Sequence, residues 1–180
     1  MKRVMWCAGL ALVAASVASM TARADDAPKQ LTDEDFVAKA SAAGLAEVNF
    51  GKLAEEQSSN ADVKKFAQHM VTDHSKANTE LLKVAEKDKM TPAEKMGAKD
   101  QQEFTKLTGL KGAEFDREYI ASQLAAHKGA VALFKAESNH AKNGDLKEFA
   151  TKTLPTLEHH LEMVKKLSGN ETDKKETKEK

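Results

Sequence analysis

Cysteine is almost absent from this sequence: the single one, Cys7, lies in an apolar N-terminal stretch. The rest of the chain therefore excludes disulfides, thiolate metal sites and cysteine-based catalysis. Glycine and proline are also scarce, with 9 and 3 residues among 180. No segment shows the apolar–polar alternation of a strand, and no glycine-rich phosphate loop or Ser-His-Asp arrangement stands out. These absences favour an all-helical protein without a recognisable catalytic motif.

Long apolar runs are missing too, apart from one between Val4 and Met20. That run follows the cationic start Met1-Lys2-Arg3, and Ala22 and Ala24 are small residues at the two positions that a signal peptidase reads. We therefore predict an exported protein whose signal peptide, residues 1–24, is removed by cleavage after Ala24. An uncleaved N-terminal anchor is the alternative, because a run of this length is marginal for a membrane span.

Neither sign of charge predominates. The chain has 28 basic and 28 acidic residues, and without Lys2, Arg3 and Arg23 it retains 25 basic and 28 acidic residues, a formal charge of −3. Such a balance offers neither a basic surface for nucleic acid nor a cationic face for lipid. We predict no nucleic-acid partner, and no stable membrane insertion once the signal peptide is cleaved.

Alanine, lysine, glutamate and leucine are abundant, and apolar residues recur three and four positions apart in four long segments. This spacing predicts four amphipathic helices. The predicted segments run from Thr32 to about Gln57, from the turn 58–60 to the charged stretch 86–89, from about Ala113 to Asn143, and from there to Leu167. Pro155 lies inside the last segment and predicts a kink there.

The connection between the second and third segments is unusually long. Thr91-Pro92-Ala93-Glu94 has a capping residue, a proline in the first turn and an acid at the third position, which predicts that a short helix begins here. A link of about 25 residues can cross a bundle from end to end. We therefore predict an all-α fold, a ferritin-like antiparallel four-helix bundle over residues 32–167, with a short lead at 25–31 and a disordered charged tail at 168–180.

Each long segment has one conspicuous polar residue within its apolar stripe. These residues are Glu47, His74, His127 and His160. Glu47 lies 13 residues before Asn60 and His74 14 residues after it, while His127 and His160 lie 16 before and 17 after Asn143. Because a helix rises about 1.5 Å per residue, equal distances from the turn mean equal heights in an antiparallel pair. The four side chains are therefore predicted to lie near the middle of the bundle.

A carboxylate and three imidazoles that converge in a bundle suit one borderline metal ion, such as zinc, copper or iron. The alternative is a metal-free layer in which the carboxylate and the histidines hydrogen-bond to one another and set the helix register. A metal-dependent enzyme is a third interpretation, and it is disfavoured because no separate general acid or base is evident. The sequence favours a non-enzymatic protein of the cell envelope, acting through a metal ion or, as a stress-associated protein, through its surface.

Several short motifs resemble a known family. They are Gly44-Leu45-Ala46-Glu47-Val48, Phe66-Ala67, Met70-Val71 followed by Asp73-His74, Phe115-Asp116 followed by Tyr119, His127, Leu154-Pro155-Thr156-Leu157, and His159-His160-Leu161. Together they resemble an exported bacterial family that is catalogued as domain of unknown function 4142 and labelled "predicted outer membrane protein". The resemblance implies a ferritin-like bundle in the periplasm or a secreted location, and it implies no agreed activity.

Ferritin-like bundles often hold two iron ions, and the sequence argues against such a site. A di-iron site needs a Glu-x-x-His motif on each of two helices. The residues three positions before His74 and His160 are Val71 and Leu157, which cannot bind iron. The motif Glu137-x-x-His140 lies near a helix end, so a ferroxidase or di-iron oxygenase is disfavoured.

Overall fold

The computed structural model describes the backbone of residues 31–178 and the side chains of residues 31–169. The predicted signal peptide and residues 25–30 of the predicted lead lie outside this range. Over the described residues the secondary structure is entirely helical, which confirms the predicted fold class. The helices are α1 (Asp33–Gln57), α2 (Ala61–Lys87), α3 (Ala98–Thr108), α4 (Gly112–His140) and α5 (Gly144–Lys178). None of them is long and apolar enough to cross a membrane.

Local capping sets the starts of three of the four long helices, α1, α2 and α5. The Thr32 hydroxyl accepts a hydrogen bond from the Asp35 amide at 3.1 Å, and the Asp35 carboxylate accepts one from the Thr32 amide. Asn60 caps α2 and Asn143 caps α5 in the same way, accepting from Asp62 and Leu146 amides at 2.9 and 3.0 Å. Because these residues cap the first free N–H groups, the predicted helix starts agree closely with those observed.

Contacts at the helix ends define the topology. The Asp33 carboxylate, at the start of α1, accepts hydrogen bonds from the backbone amides of Lys142 and Asn143, at the end of α4. An ion pair between Lys87 and Asp145 joins the end of α2 to the start of α5. Therefore α1 is antiparallel to α4, and α2 to α5. The segment between α2 and α4 then runs the length of the bundle, which is the long connection of ferritin-like folds.

This connection differs from its prediction. Residues 91–94 do not begin a helix, and α3 begins only at Ala98. The Ala93 amide donates to the hydroxyl of Ser41 on α1 at 2.7 Å, a tertiary contact that ties this segment to α1. Farther along, Phe104 of α3 stacks on Phe50 of α1 with ring centroids 5.9 Å apart. The short extra helix α3 therefore packs on α1 through this aromatic contact.

The predicted disordered tail is a second difference, because α5 continues to Lys178. Lysine and glutamate, which dominate this stretch, have high intrinsic helix propensity and can continue a helix that is already nucleated. Pro155 does lie inside α5, as predicted from the sequence.

The apolar side chains form two clusters, one toward each end of the bundle. The Phe36 cluster consists of Phe36, Val37, Ala40, Leu81, Ala85, Phe134, Leu146, Phe149, Ala150 and Leu157. The Phe66 cluster consists of Ala46, Phe50, Leu53, Ala54, Val63, Phe66, Ala67, Met70, Leu107, Phe115, Tyr119, Ile120, Val164 and Leu167. Along α2, α4 and α5, the segment between the two clusters contains His74, His127 and His160.

Candidate metal centre

Three histidines from three helices meet between the two clusters. The ring centroids of His74, His127 and His160 are 5.5–5.7 Å apart. One ring nitrogen from each lies within 4.8 Å of the other two. Within the described residues, this is the sole group of three or more histidine, cysteine or acidic side chains close enough to share a metal ion. Counting residues from the turns correctly anticipated that the three histidines lie at one height.

The surroundings keep the imidazoles of His74 and His160 neutral. The exposed fraction is 8 % for His74 and 1 % for both His127 and His160. The pKa of His74 is lowered to about 3, first by burial and then by the neighbouring His127 and His160. Burial also lowers the pKa of His160 to about 4, although the hydrogen bond to Asp73 opposes this shift. Neutral imidazole is the form that binds a metal ion, so two of the three rings need not lose a proton near neutral pH.

Hydrogen bonds to neighbouring groups determine which ring nitrogen carries the proton. Nδ1–H of His127 donates to the Gln123 carbonyl oxygen at 3.0 Å, which leaves Nε2 with a lone pair. Nε2–H of His160 donates to the carboxylate of Asp73 at 2.9 Å, which leaves Nδ1 with a lone pair. Carboxylates and carbonyls hold metal-binding histidines in this way.

Each ring also has a buried nitrogen without a hydrogen-bond partner, which we call orphaned. His74 Nε2, His127 Nε2 and His160 Nδ1 are buried and have no hydrogen-bond partner within the protein. A buried polar atom without a partner is costly, and three such atoms from adjacent rings are rare unless something joins them. The closed polar layer that is the alternative prediction would require hydrogen bonds from these nitrogens to neighbouring side chains, and the three nitrogens make none.

The histidine group fits a transition-metal ion with a small adjustment. The centre of a triangle with 4.8 Å sides lies about 2.8 Å from each corner, whereas metal–imidazole bonds are about 2.0–2.1 Å. The nitrogens must approach the ion by less than 1 Å, roughly what small rotations of the imidazole rings provide. Three histidines supply three ligands of a tetrahedral site and leave the fourth position open.

Glu47, the fourth predicted ligand, is not part of this close group. Its side chain is 6 % exposed, and Oε2 has no hydrogen-bond partner. Burial raises the pKa of Glu47, while His127 and the Gln123 side chain oppose the shift. The carboxyl therefore lies beside the histidines, close enough to interact with His127 electrostatically.

Sequence reasoning missed two polar residues near the site. Gln123 is fully buried, and neither its side-chain oxygen nor its nitrogen has a hydrogen-bond partner. Tyr119 is also fully buried, its hydroxyl lacks a partner, and burial raises its pKa well above the ordinary value. Both residues precede His127 on the same face of α4, by four and eight positions, so helical spacing could have identified them.

The other histidines stand apart from the group. His140 and His159 are exposed and His69 is half-buried. Met70, whose sulfur is a softer candidate ligand, is buried among the apolar side chains of the Phe66 cluster.

The chain belongs to the family described as Domain of unknown function (DUF4142), whose profile matches residues 18–167. No curated protein matches the chain. Among solved structures, a DUF305 protein from Streptomyces coelicolor has a TM-score of 0.67 at 14 % identity, covering 78 % of this chain and 94 % of that one. A DUF305 fragment from Deinococcus radiodurans has the same TM-score and identity and covers 80 % and 98 %. CopM in its Cu(II)-bound form has a TM-score of 0.66 at 17 % identity and covers 78 % and 98 %. At such identities these likenesses establish the fold alone.

Proposed function

We propose that this protein binds one transition-metal ion at the mid-bundle group formed by His74, His127 and His160. The observation that carries the proposal is that three buried imidazoles converge, with one ring nitrogen of each within 4.8 Å of the other two, and that each ring has a nitrogen without a partner in the protein. A metal ion would satisfy all three at once, and the hydrogen bonds of His127 and His160 already present the required tautomers. Glu47 lies close enough to offset part of the charge of a bound cation.

Copper is the metal that the ligands favour most. Neutral imidazoles bind copper, zinc and iron, and among divalent ions of this series copper forms the strongest complexes. CopM, whose fold is similar, is known in Cu(II)-bound and Ag-bound forms. We infer that the protein buffers, delivers or senses this metal.

The first experiment compares metal content. The mature protein, purified from its native compartment, is analysed by elemental analysis beside a His74→Ala/His160→Ala variant and a matched His69→Ala/His159→Ala control. We expect one equivalent of copper, zinc or iron in the wild-type protein and in the control, and none in the site variant. Added metal should also raise the unfolding free energy of the wild-type protein by about 2.7 kcal/mol at a hundredfold excess over Kd.

Equal metal content in the site variant would contradict the proposal. Metal-free samples throughout, with a site variant that is merely less stable, would instead favour a layer that only sets helix register.

We also propose that the protein functions outside the bacterial cytoplasm, in the periplasm or as a secreted protein. The N-terminal sequence supports export, and the similar protein from Streptomyces coelicolor is described as secreted. N-terminal sequencing of the protein recovered from a periplasmic extract tests this location. We expect the sequence to begin at Asp25, whereas an intact Met1 in a membrane fraction would contradict cleavage.

A further inference from the structure

A cleft of about 520 Å³ lies between α1 and α4 and reaches the histidine group at one edge. Small residues of α4 form one wall, among them Ala121, Ala125, Ala126 and Gly129. A Cβ atom added to Gly129 would have no neighbour within 4 Å, which shows how much room this wall leaves. About half of the other lining side chains are apolar, including Phe50, Leu81 and Phe134, and charged side chains such as Lys39, Asp100 and Glu118 make up part of the rest. The volume is typical of a site for a small molecule.

The inner end of the cleft is polar. His74 and Glu47 line it, whereas His127 and His160 do not. Both lining side chains are more than nine-tenths buried, and His74 Nε2 and Glu47 Oε2 lack hydrogen-bond partners. An apolar cavity with a few convergent, unsatisfied polar atoms is the usual form of a ligand site. Any molecule in this cleft therefore meets the histidine group from the His74 side.

We propose that the cleft admits a small Lewis base with an apolar body, which takes the coordination position that the three histidines leave open. This inference rests on the proposed metal site. Three neutral imidazoles do not reduce the charge of the ion, so a neutral or anionic donor atom is favoured and a cationic one is repelled. The walls of the cleft hold the apolar body, and Glu47 can accept a hydrogen bond from an N–H or O–H group of the donor.

The test uses the Co(II)-loaded protein, because its visible absorption reports on coordination. Imidazole and 4-phenylimidazole are titrated into it separately. We expect both to change the spectrum and 4-phenylimidazole to bind at least about tenfold more tightly, because its phenyl ring is buried against the cleft walls. Cobalt content is measured on the same samples, so that a spectral change caused by loss of cobalt counts against the proposal.

Variants of α4 locate the binding. Ala125→Phe and Gly129→Leu fill the cleft at exposed positions of this wall, and Ala132→Phe adds the same bulk on α4 at an exposed position outside it. We expect both filling variants to keep cobalt and to lose at least tenfold of the affinity for 4-phenylimidazole, and the control to behave like the wild-type protein. Two filling positions are used so that misfolding of one, detected by thermal unfolding, does not decide the result.

Two results separate this inference from the proposed function. A cobalt-loaded protein that does not respond to either probe, or filling variants that bind 4-phenylimidazole as tightly as the wild-type protein, would overturn the cleft site and leave the metal site intact. Failure of the wild-type protein to bind cobalt, copper or zinc at all would overturn both.

Discussion

The histidine layer, formed by His74, His127 and His160, and the two apolar clusters that flank it are all buried. They differ in whether their buried atoms need hydrogen-bond partners and have them. In the Phe36 cluster, Phe36 packs edge-on against Phe134 with ring centroids 5.0 Å apart, and such side chains need no polar partner. In the layer, His127 and His160 are just as inaccessible but each retains an orphaned nitrogen. Burial stabilises the clusters, whereas in the layer it opposes folding until a ligand joins the nitrogens. The difference separates the part of the molecule that maintains the fold from the part available for binding.

The largest expected change in stability comes from a substitution in one of the apolar clusters. Phe36→Ala removes a fully buried ring from the Phe36 cluster and should lower the free energy of unfolding by about 3–5 kcal/mol. Leu82→Ala is the matched control, because Leu82 is 48 % exposed and its truncation should cost less than about 0.5 kcal/mol. Urea denaturation of the metal-free proteins measures both values, and similar losses in the two variants would contradict the described core.

In the histidine layer, an apolar substitution is predicted to change the free energy of unfolding in the opposite direction. His127→Leu replaces a buried ring with an orphaned nitrogen by an apolar side chain, so the metal-free protein should be as stable as the wild type or up to about 1–3 kcal/mol more stable. The stabilisation by added metal should disappear in the same variant. His159→Leu, at an exposed position, should change neither quantity. A clear loss of metal-free stability in His127→Leu would show that the layer is already satisfied without a metal.

A second buried polar group lies at the far end of α4, and its effect on stability depends on pH. Glu137 is 3 % exposed, and burial together with the nearby Asp33 raises its pKa to about 7 from 4.5. The folded protein therefore keeps a proton that the unfolded chain releases, so stability is greatest below pH 4.5 and falls as the pH rises toward 7. Glu137→Gln has no such proton and should be about 2 kcal/mol more stable than the wild type at pH 8.

Urea denaturation at pH 4 and pH 8 measures this effect, with the exposed Glu158→Gln as control. The gain of Glu137→Gln should vanish at pH 4, where both proteins are neutral at this position. A gain of the same size at both pH values would rule out titration of Glu137 as its cause.

The smallest expected effect is on metal affinity, through the hydrogen bond that orients His160. Asp73→Asn weakens the acceptor for Nε2–H of His160, which orients the ring, and should reduce metal affinity about tenfold with little change in metal-free stability. Glu80→Gln removes an exposed carboxylate from the same helix and should leave the affinity unchanged. Calorimetric titration with copper measures both. Unchanged affinity in Asp73→Asn would mean that packing alone holds His160.

Much of the architecture could be predicted because its determinants are local. Apolar periodicity located the four long helices, and the caps at Thr32, Asn60 and Asn143 placed their starts, since a side chain two or three residues away satisfies the first amides. Counting from the turn at Asn143 placed His127 and His160 at one height, because the rise per residue of a helix is constant.

The tertiary structure decided what depends on partners distant in sequence. Residue counting gives the height of a side chain but not its direction around the helix axis, so it could not tell that Glu47 would lie beside the three histidines instead of among them. It could not show that the Ser41 hydroxyl would accept a hydrogen bond from the Ala93 amide, or that Asp73 would hold His160. The sequence by itself determined the helices and the height of the histidines, through local geometry and capping. Which ring nitrogens remain orphaned, and the cleft that leads to them, arise only when four helices pack together.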